Sequence, residues 1–111
     1  SDIEGDIKNV EPSFYNAGYE TDDIALSNLN YEVDNDGEIP ITYDRVRVSM
    51  NGETRTEERW VVKEIETGGT HDITEILTEP IVVSPGSYEV QIELMNGNEV
   101  VLSETTTISA E

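Results

Sequence analysis

The sequence has no cysteine, a single histidine, a single tryptophan and only six basic residues. Without cysteine there is no disulfide, no thiolate metal site and no thiol nucleophile, and the redox compartment is left open. His71, as the only histidine, excludes a histidine-rich transition-metal site by count. It also leaves a Ser-His-Asp arrangement little material, since no Gly-x-Ser-x-Gly elbow accompanies it. No apolar run approaches the ~18 residues of a membrane-spanning helix, and no basic stretch followed by an apolar one opens the chain, so membrane insertion by this segment is not expected. The start at Ser1-Asp2-Ile3, without methionine, reads as a processed protein or a segment of a longer one.

What the sequence has in excess is negative charge. Its 25 acidic residues give a formal net charge of −19, a field that repels phosphate backbones and anionic headgroups and speaks against nucleic acid as a partner. The same excess repels itself, so the compact state should gain from screening and suits a salt-rich or cation-rich exterior. The melting temperature is accordingly expected to rise with added salt. At 111 residues the chain fits one domain, residues 1–111, and a chain of this length buries roughly two thirds of the surface its unfolded form exposes.

No apolar stripe at helical spacing persists for three turns, whereas β-branched residues and period-two alternation recur throughout. The reading is of strands. The first spans about residues 3–14, with Ile3, Ile7 and Val10 on the apolar side and Pro12 marking an edge strand, because proline has no ladder donor. The second, at 25–33, alternates Leu29, Tyr31 and Val33 with Asn28, Asn30 and Glu32. Asp34-Asn35-Asp36-Gly37 and Pro40 then form a turn. The third strand, 41–50, changes parity between Tyr43 and Val46, which predicts a bulge near Asp44-Arg45. Asn51-Gly52 is a type I′ hairpin signal.

The fourth strand, from residue 53 to 62, becomes apolar only at Trp60-Val61-Val62. A two-residue turn sets Val48 opposite Arg55, a poor fit that leaves the register unresolved and a bulged turn open as well. Residues 70–83, with Ile73, Ile76 and Leu77, read as a bent strand or a single helical turn. After Ser84-Pro85-Gly86, the segment 87–95 alternates cleanly, with Tyr88, Val90, Ile92 and Leu94 inward. Asn96-Gly97-Asn98 turns the chain onto 99–109, whose inward set is Val100, Leu102 and Ile108. Regularly spaced strands joined by hairpins predict an all-β antiparallel sandwich of about seven strands.

Two patterns, Val33-x-Asn35-x-Gly37-x-x-Pro40 and Pro85-Gly86-x-Tyr88-x-Val90, flank the Asn51-Gly52 hairpin. Together they resemble the immunoglobulin-like modules of bacterial and archaeal cell-surface and adhesion proteins, of the CARDB and S-layer-associated type. The resemblance covers residues 26–108. It implies an immunoglobulin-like β-sandwich and a non-enzymatic module of a longer surface protein, and the acidic balance resembles archaeal examples. This chain departs from many members in showing no internal repeat.

Tyr88 stands two residues after a turn glycine at the start of a core strand, where a buried ring can return its hydroxyl to the preceding corner. Trp60 is expected to fill the core, its truncation to alanine costing about 3–5 kcal/mol. His71, beside Asp72, reads as a solvated loop residue. Carboxylate pairs at glycosidase spacing must arise by chance among so many acids. An EF-hand is rejected for Asp34-Asn35-Asp36-Gly37, because the glycine falls at the fourth position and no glutamate follows at the twelfth. Strand direction brings the 34–40, 64–70 and 96–99 loops to one end, so Asp34, Asp36, Asn96, Asn98 and Glu99 form a candidate calcium set, against the plainer reading of turn formers and solvated charges.

Arg45, Arg47, Arg55, Arg59 and Lys63 gather on one hairpin, either as a docking face for an acidic neighbour or glycan or as cross-strand partners of Glu53, Glu57 and Glu58. The expectation is a non-catalytic structural or adhesive module of an extracellular or cell-envelope protein, meeting protein or glycan through its loop end. The alternative is a carbohydrate-binding or calcium-dependent recognition domain, for which Tyr15, Tyr19 and Tyr43 are the aromatic platform to inspect. An enzyme is the weakest reading and needs a cleft holding a carboxylate of raised pKa.

Overall fold

The alternation written into the sequence becomes seven antiparallel strands in a computed structural model that describes residues 3–111: β1 (Gly5–Asn16), β2 (Ile24–Asn35), β3 (Ile41–Met50), β4 (Glu53–Ile65), β5 (Thr70–Val83), β6 (Gly86–Asn96) and β7 (Glu99–Ala110). Ser1 and Asp2 lie outside the described residues. The strands form two sheets, of order β1-β2-β5 and β4-β3-β6-β7. β1–β2, β3–β4 and β6–β7 are hairpins within a sheet, and the other connections cross between sheets. This is an immunoglobulin-like β-sandwich, with the fourth strand beside the third in the larger sheet.

The dry layer between the sheets takes one parity from each inner strand. Leu29, Tyr31 and Val33 of β2, Val46, Val48 and Met50 of β3, and Val90, Ile92 and Leu94 of β6 are all buried and share one cluster. Fully burying such a side chain is worth about 1.5–3 kcal/mol each, so these three strands carry most of the apolar stabilisation. On β7 Leu102 and Ile108 pack inward as expected, but Val100 does not. A register shift between the pairs Leu94↔Leu102 and Met95↔Val100 leaves Val101 as an extra residue, so Val100 is exposed and Val101 packs against the core instead.

β1 is an edge strand holding Pro12 opposite Leu29. Asn9, at φ 54°, supports a bulge between Lys8 and Glu11, a conformation that asparagine adopts more readily than most residues. At the β5–β6 corner the Tyr88 hydroxyl donates to the Ser84 carbonyl at 2.7 Å, across Gly86. Tyr88→Phe keeps the half-buried ring and removes only this bond. Urea denaturation should show a loss of about 0.5–1.5 kcal/mol, and no measurable loss would show that water replaces the bond fully.

The β3–β4 hairpin settles the open register and corrects the expectation for Trp60. Asn51 and Gly52 have φ of 52° and 79°, as a type I′ turn requires, and the tight turn does set Val48 opposite Arg55. The pairing fits because β4 is an edge strand, whose inward side chains meet the flank of β5 rather than apolar core. The parity change on β3 is also resolved on the partner: pairing jumps from Arg45↔Glu58 to Tyr43↔Lys63, so residues 59–62 bulge from β4 opposite Asp44. That bulge turns Trp60 entirely into solvent. Trp60 is therefore no part of the core, and its place as the large buried aromatic is taken by Tyr31.

β5 is a bent strand, not a helical turn. Its pairing jumps from Asn28↔Ile76 to Leu26↔Ile81, leaving residues 77–80 as a bulge opposite Ser27. Leu77 stays buried while Ile76 faces solvent.

Candidate functional site

Strand direction brings the β2–β3, β4–β5 and β6–β7 connections to one end of the sandwich, and Asn35 ties the first two together. Its backbone N–H donates to the Gly69 carbonyl and its carbonyl accepts from Gly68, both at 2.9 Å. Its buried side-chain amide donates to the Ile39 and Ile65 carbonyls, each at 2.9 Å, and its Oδ1 accepts from the Gly37 amide at 3.0 Å. The β6–β7 turn is fastened separately to β3: Asn96 donates to the Thr42 hydroxyl and the Gly97 amide to Asp44.

The loops converge, and two members of the candidate calcium set, Asp34 and Asn96, have other partners there. Asp34 belongs to β2, where it pairs with Lys8 at 2.6 Å and accepts from the Thr70 hydroxyl at 2.6 Å, and Lys8 holds its carboxyl below the usual range. Asp36 faces a shallow notch with Glu4 and Glu38, while Asn96 is held on β3. Among the described residues no three of His, Cys, Asp and Glu are grouped closely enough to hold a metal ion, so Asp34, Asp36 and Glu99 do not share one; Asn98 and Glu99 stay in and beside the separately fastened turn. His71 opens β5, and its Nε2 lies 2.8 Å from Glu66, whose carboxyl is lowered by its own backbone N–H and by that ring.

The arginines of the β3–β4 hairpin are engaged within the fold. Arg47 makes a forked pair with Glu93 of β6 at 2.7 and 3.1 Å, which raises its pKa further. Arg45 contacts Asp44 at 3.1 Å and Glu58 at 3.6 Å. Arg55 reaches across to β5, donating to the Glu79 and Pro80 carbonyls at 2.7 and 3.1 Å. Glu57 accepts from the Thr78 amide and hydroxyl at 3.2 and 2.6 Å. These two side chains supply partners to the backbone of the β5 bulge, where the ladder is interrupted. Four of the five cations of this hairpin are therefore engaged within the fold. Of the expected partners, Glu58 meets Arg45 across the hairpin and Glu53 meets Arg55 at 3.3 Å on its own strand, whereas Glu57 turns to Thr78 and the two forked pairs go to Glu93 and Glu75 on other strands.

Arg59 completes this seam. Its guanidinium forks onto Glu75 of β5 at 2.7 and 2.8 Å and lies 5.7 Å from the centre of the Tyr43 ring. Glu75 is only 1% exposed and also accepts from the Tyr31 hydroxyl at 2.9 Å. A charge this deep persists only when paired and hydrogen-bonded on both oxygens, as here. Burial, then the neighbouring Glu75 charge, push the Tyr31 hydroxyl far above its ordinary value of 10.0. The sign follows directly. Above about pH 10 an unfolded tyrosine loses its proton while Tyr31 keeps it in the fold, so the native state binds more protons and stability falls by about 1.4 kcal/mol per pH unit. The contribution is fully present below that pH. Urea unfolding between about pH 9 and pH 11 should show the slope, and Tyr31→Phe should flatten it by one proton.

With Arg59 drawn inward, the next three residues are pushed outward. Trp60, Val61 and Val62 are all exposed on the bulge, and a depression of about 350 Å³ lies beside Trp60, lined by Glu58, Arg59 and Trp60. The sequence did carry a signal for this: three consecutive apolar residues ending a polar strand break period two, as a bulge does. Of the suggested aromatic platform, Tyr43 is buried, whereas Tyr15 and Tyr19 are exposed near the β1–β2 connection of the other sheet. Among the described residues no helix is long and apolar enough to cross a membrane. No family model matches this chain, and neither does any curated protein.

Proposed function

We propose that this chain is a non-catalytic structural or adhesive module of an extracellular or cell-envelope protein, of the CARDB or S-layer-associated kind, and that it makes contact through the β4 bulge rather than through its loop end. One observation carries this reading: on a chain of net charge −19, the sole tryptophan stands wholly in solvent beside two further exposed valines. Contiguous exposed apolar side chains rimmed by polar ones mark contact surfaces, and tryptophan is the residue most enriched at their energetic centres. The loop end, by contrast, is acidic and tied into the fold by Asn35.

The acidic surface supports a cation-rich exterior, archaeal or otherwise, and opposes contact with nucleic acid. Carbohydrate recognition through Tyr15, Tyr19 and Tyr43 has weaker support, because Tyr43 is enclosed by the core and by Arg59. Two measurements test the proposal. Antibody against the domain should stain intact source cells, and staining only after permeabilisation would refute the location. Beads coated with the domain should adhere to envelope fragments of those cells, and Trp60→Ala beads should not; equal adherence would refute the contact surface.

A further inference from the structure

The chemistry around Trp60 selects among partners. We infer that the β4 edge receives an extended, basic polypeptide segment, with one lysine or arginine side chain of that segment lying over the Trp60 indole against the Glu58 carboxylate. This rests on the reading of the bulge as a contact surface and names its partner.

Four observations converge. The indole is completely exposed, and tryptophan is the strongest side-chain acceptor for a cation over its face. The Glu58 carboxylate in the same depression is 70% exposed and held only loosely, 3.6 Å from Arg45. Arg59, the cation lining that depression, has its charge balanced by buried Glu75 and so offers little repulsion. Finally, β4 ends its sheet, so among the described residues the outer backbone edge of its regular stretch, residues 53–58, has no strand partner and can accept one wherever Arg55 and Arg59 do not already donate to the Thr54 and Glu57 carbonyls. The net charge of −19 draws a basic segment to the protein as a whole, while residues 41–65 carry five basic and five acidic residues, so the choice of this edge rests on Trp60 and Glu58. Val61 and Val62 extend the apolar contact along the same strand. Lys63, which closes the bulge opposite Tyr43, opposes a basic segment, as does Arg45 beside Glu58, its charge partly balanced by Asp44.

The probe is a synthetic octapeptide alternating lysine and threonine, with an acetyl-lysine version of the same sequence as the neutral control. Trp60, the only tryptophan, reports binding by fluorescence, while calorimetry and amide NMR shifts apply to variants. Saturable binding of the lysine peptide is expected at physiological salt, with shifts confined to β4 and its bulge and none from the acetylated peptide. Trp60→Ala should weaken it about tenfold and Glu58→Gln about threefold. Glu89→Gln, the same charge change on the outer side of β6, should alter it less than about twofold. Equal losses from Glu58→Gln and Glu89→Gln, or undiminished binding by Trp60→Ala, would reduce the effect to a diffuse field and overturn the inference. Quenching of Trp60 by neutral cello- or chito-oligosaccharides without lysine-peptide binding would overturn it in favour of a glycan. If Trp60→Ala beads lose adherence and the peptide still does not bind, the contact surface stands and the basic partner fails.

Discussion

Replacing Arg59 with methionine is expected to cost about 3–5 kcal/mol, more than any other single change on the flank of the sandwich. The arginine is not itself deeply buried, and its stem would be matched in length by methionine. What the substitution leaves behind is Glu75, a carboxylate 1% exposed whose remaining side-chain partner is the Tyr31 hydroxyl. An isolated ion there must either stay charged without compensation or take up a proton, and each route destabilises the native state at neutral pH. Removing both charges, as in Arg59→Met with Glu75→Leu, should recover most of the loss, because the cost belongs to the unpaired ion rather than to the absent pair. A double-mutant cycle by urea denaturation checks this. A single-variant loss below about 1 kcal/mol would mean that Glu75 swings out to water once released.

The same pair explains what could be read from the sequence and what could not. β2, β3 and β6 have neighbours on both sides and one face on the core, so their inward residues are apolar at every second position and alternation locates them. β4 and β5 are edge strands whose inward positions face each other across the open side of the sandwich. There the pattern Arg55, Glu57, Arg59 on one strand is satisfied by Glu75, Thr78 and backbone carbonyls on the other. A polar inward residue with a distant partner looks like an outward one until the partner is known. That ambiguity hid the tight register at Val48 and Arg55, and it made Trp60 look like the apolar anchor of the strand. The bulge reversed it: once Arg59 turns in to meet Glu75, Trp60 must turn out.

The loop end was legible in position but not in content. Strand direction alone brought the 34–40 and 64–70 connections together. The sequence marked Asp34-Asn35-Asp36-Gly37 as turn formers without separating them, because what distinguishes Asn35 is a carbonyl thirty residues further on, that of Ile65. Asp34 and Asp36, which looked like ion ligands, answer to Lys8, Thr70 and the open notch instead.

Asn35 therefore provides the second large effect. Asn35→Ala removes two donors from the Ile39 and Ile65 carbonyls and one acceptor from the Gly37 amide, and should cost about 2–4 kcal/mol. Asn35→Asp is nearly the same size and keeps the acceptor, yet at neutral pH it should be worse, at about 3–5 kcal/mol, since a carboxylate oxygen would face two carbonyl oxygens in a buried site. The introduced carboxyl would have a folded pKa above its unfolded value near 3.9. Its penalty is then complete above the folded pKa and fades as the pH falls toward the unfolded one, where the protonated group can donate to one of the two carbonyls. Denaturant midpoints measured from about pH 7 to pH 4 should bring Asn35→Asp up toward Asn35→Ala. If the two variants keep a constant gap across that range, the side chain of residue 35 is rotating away from Ile65 rather than holding the two loops together.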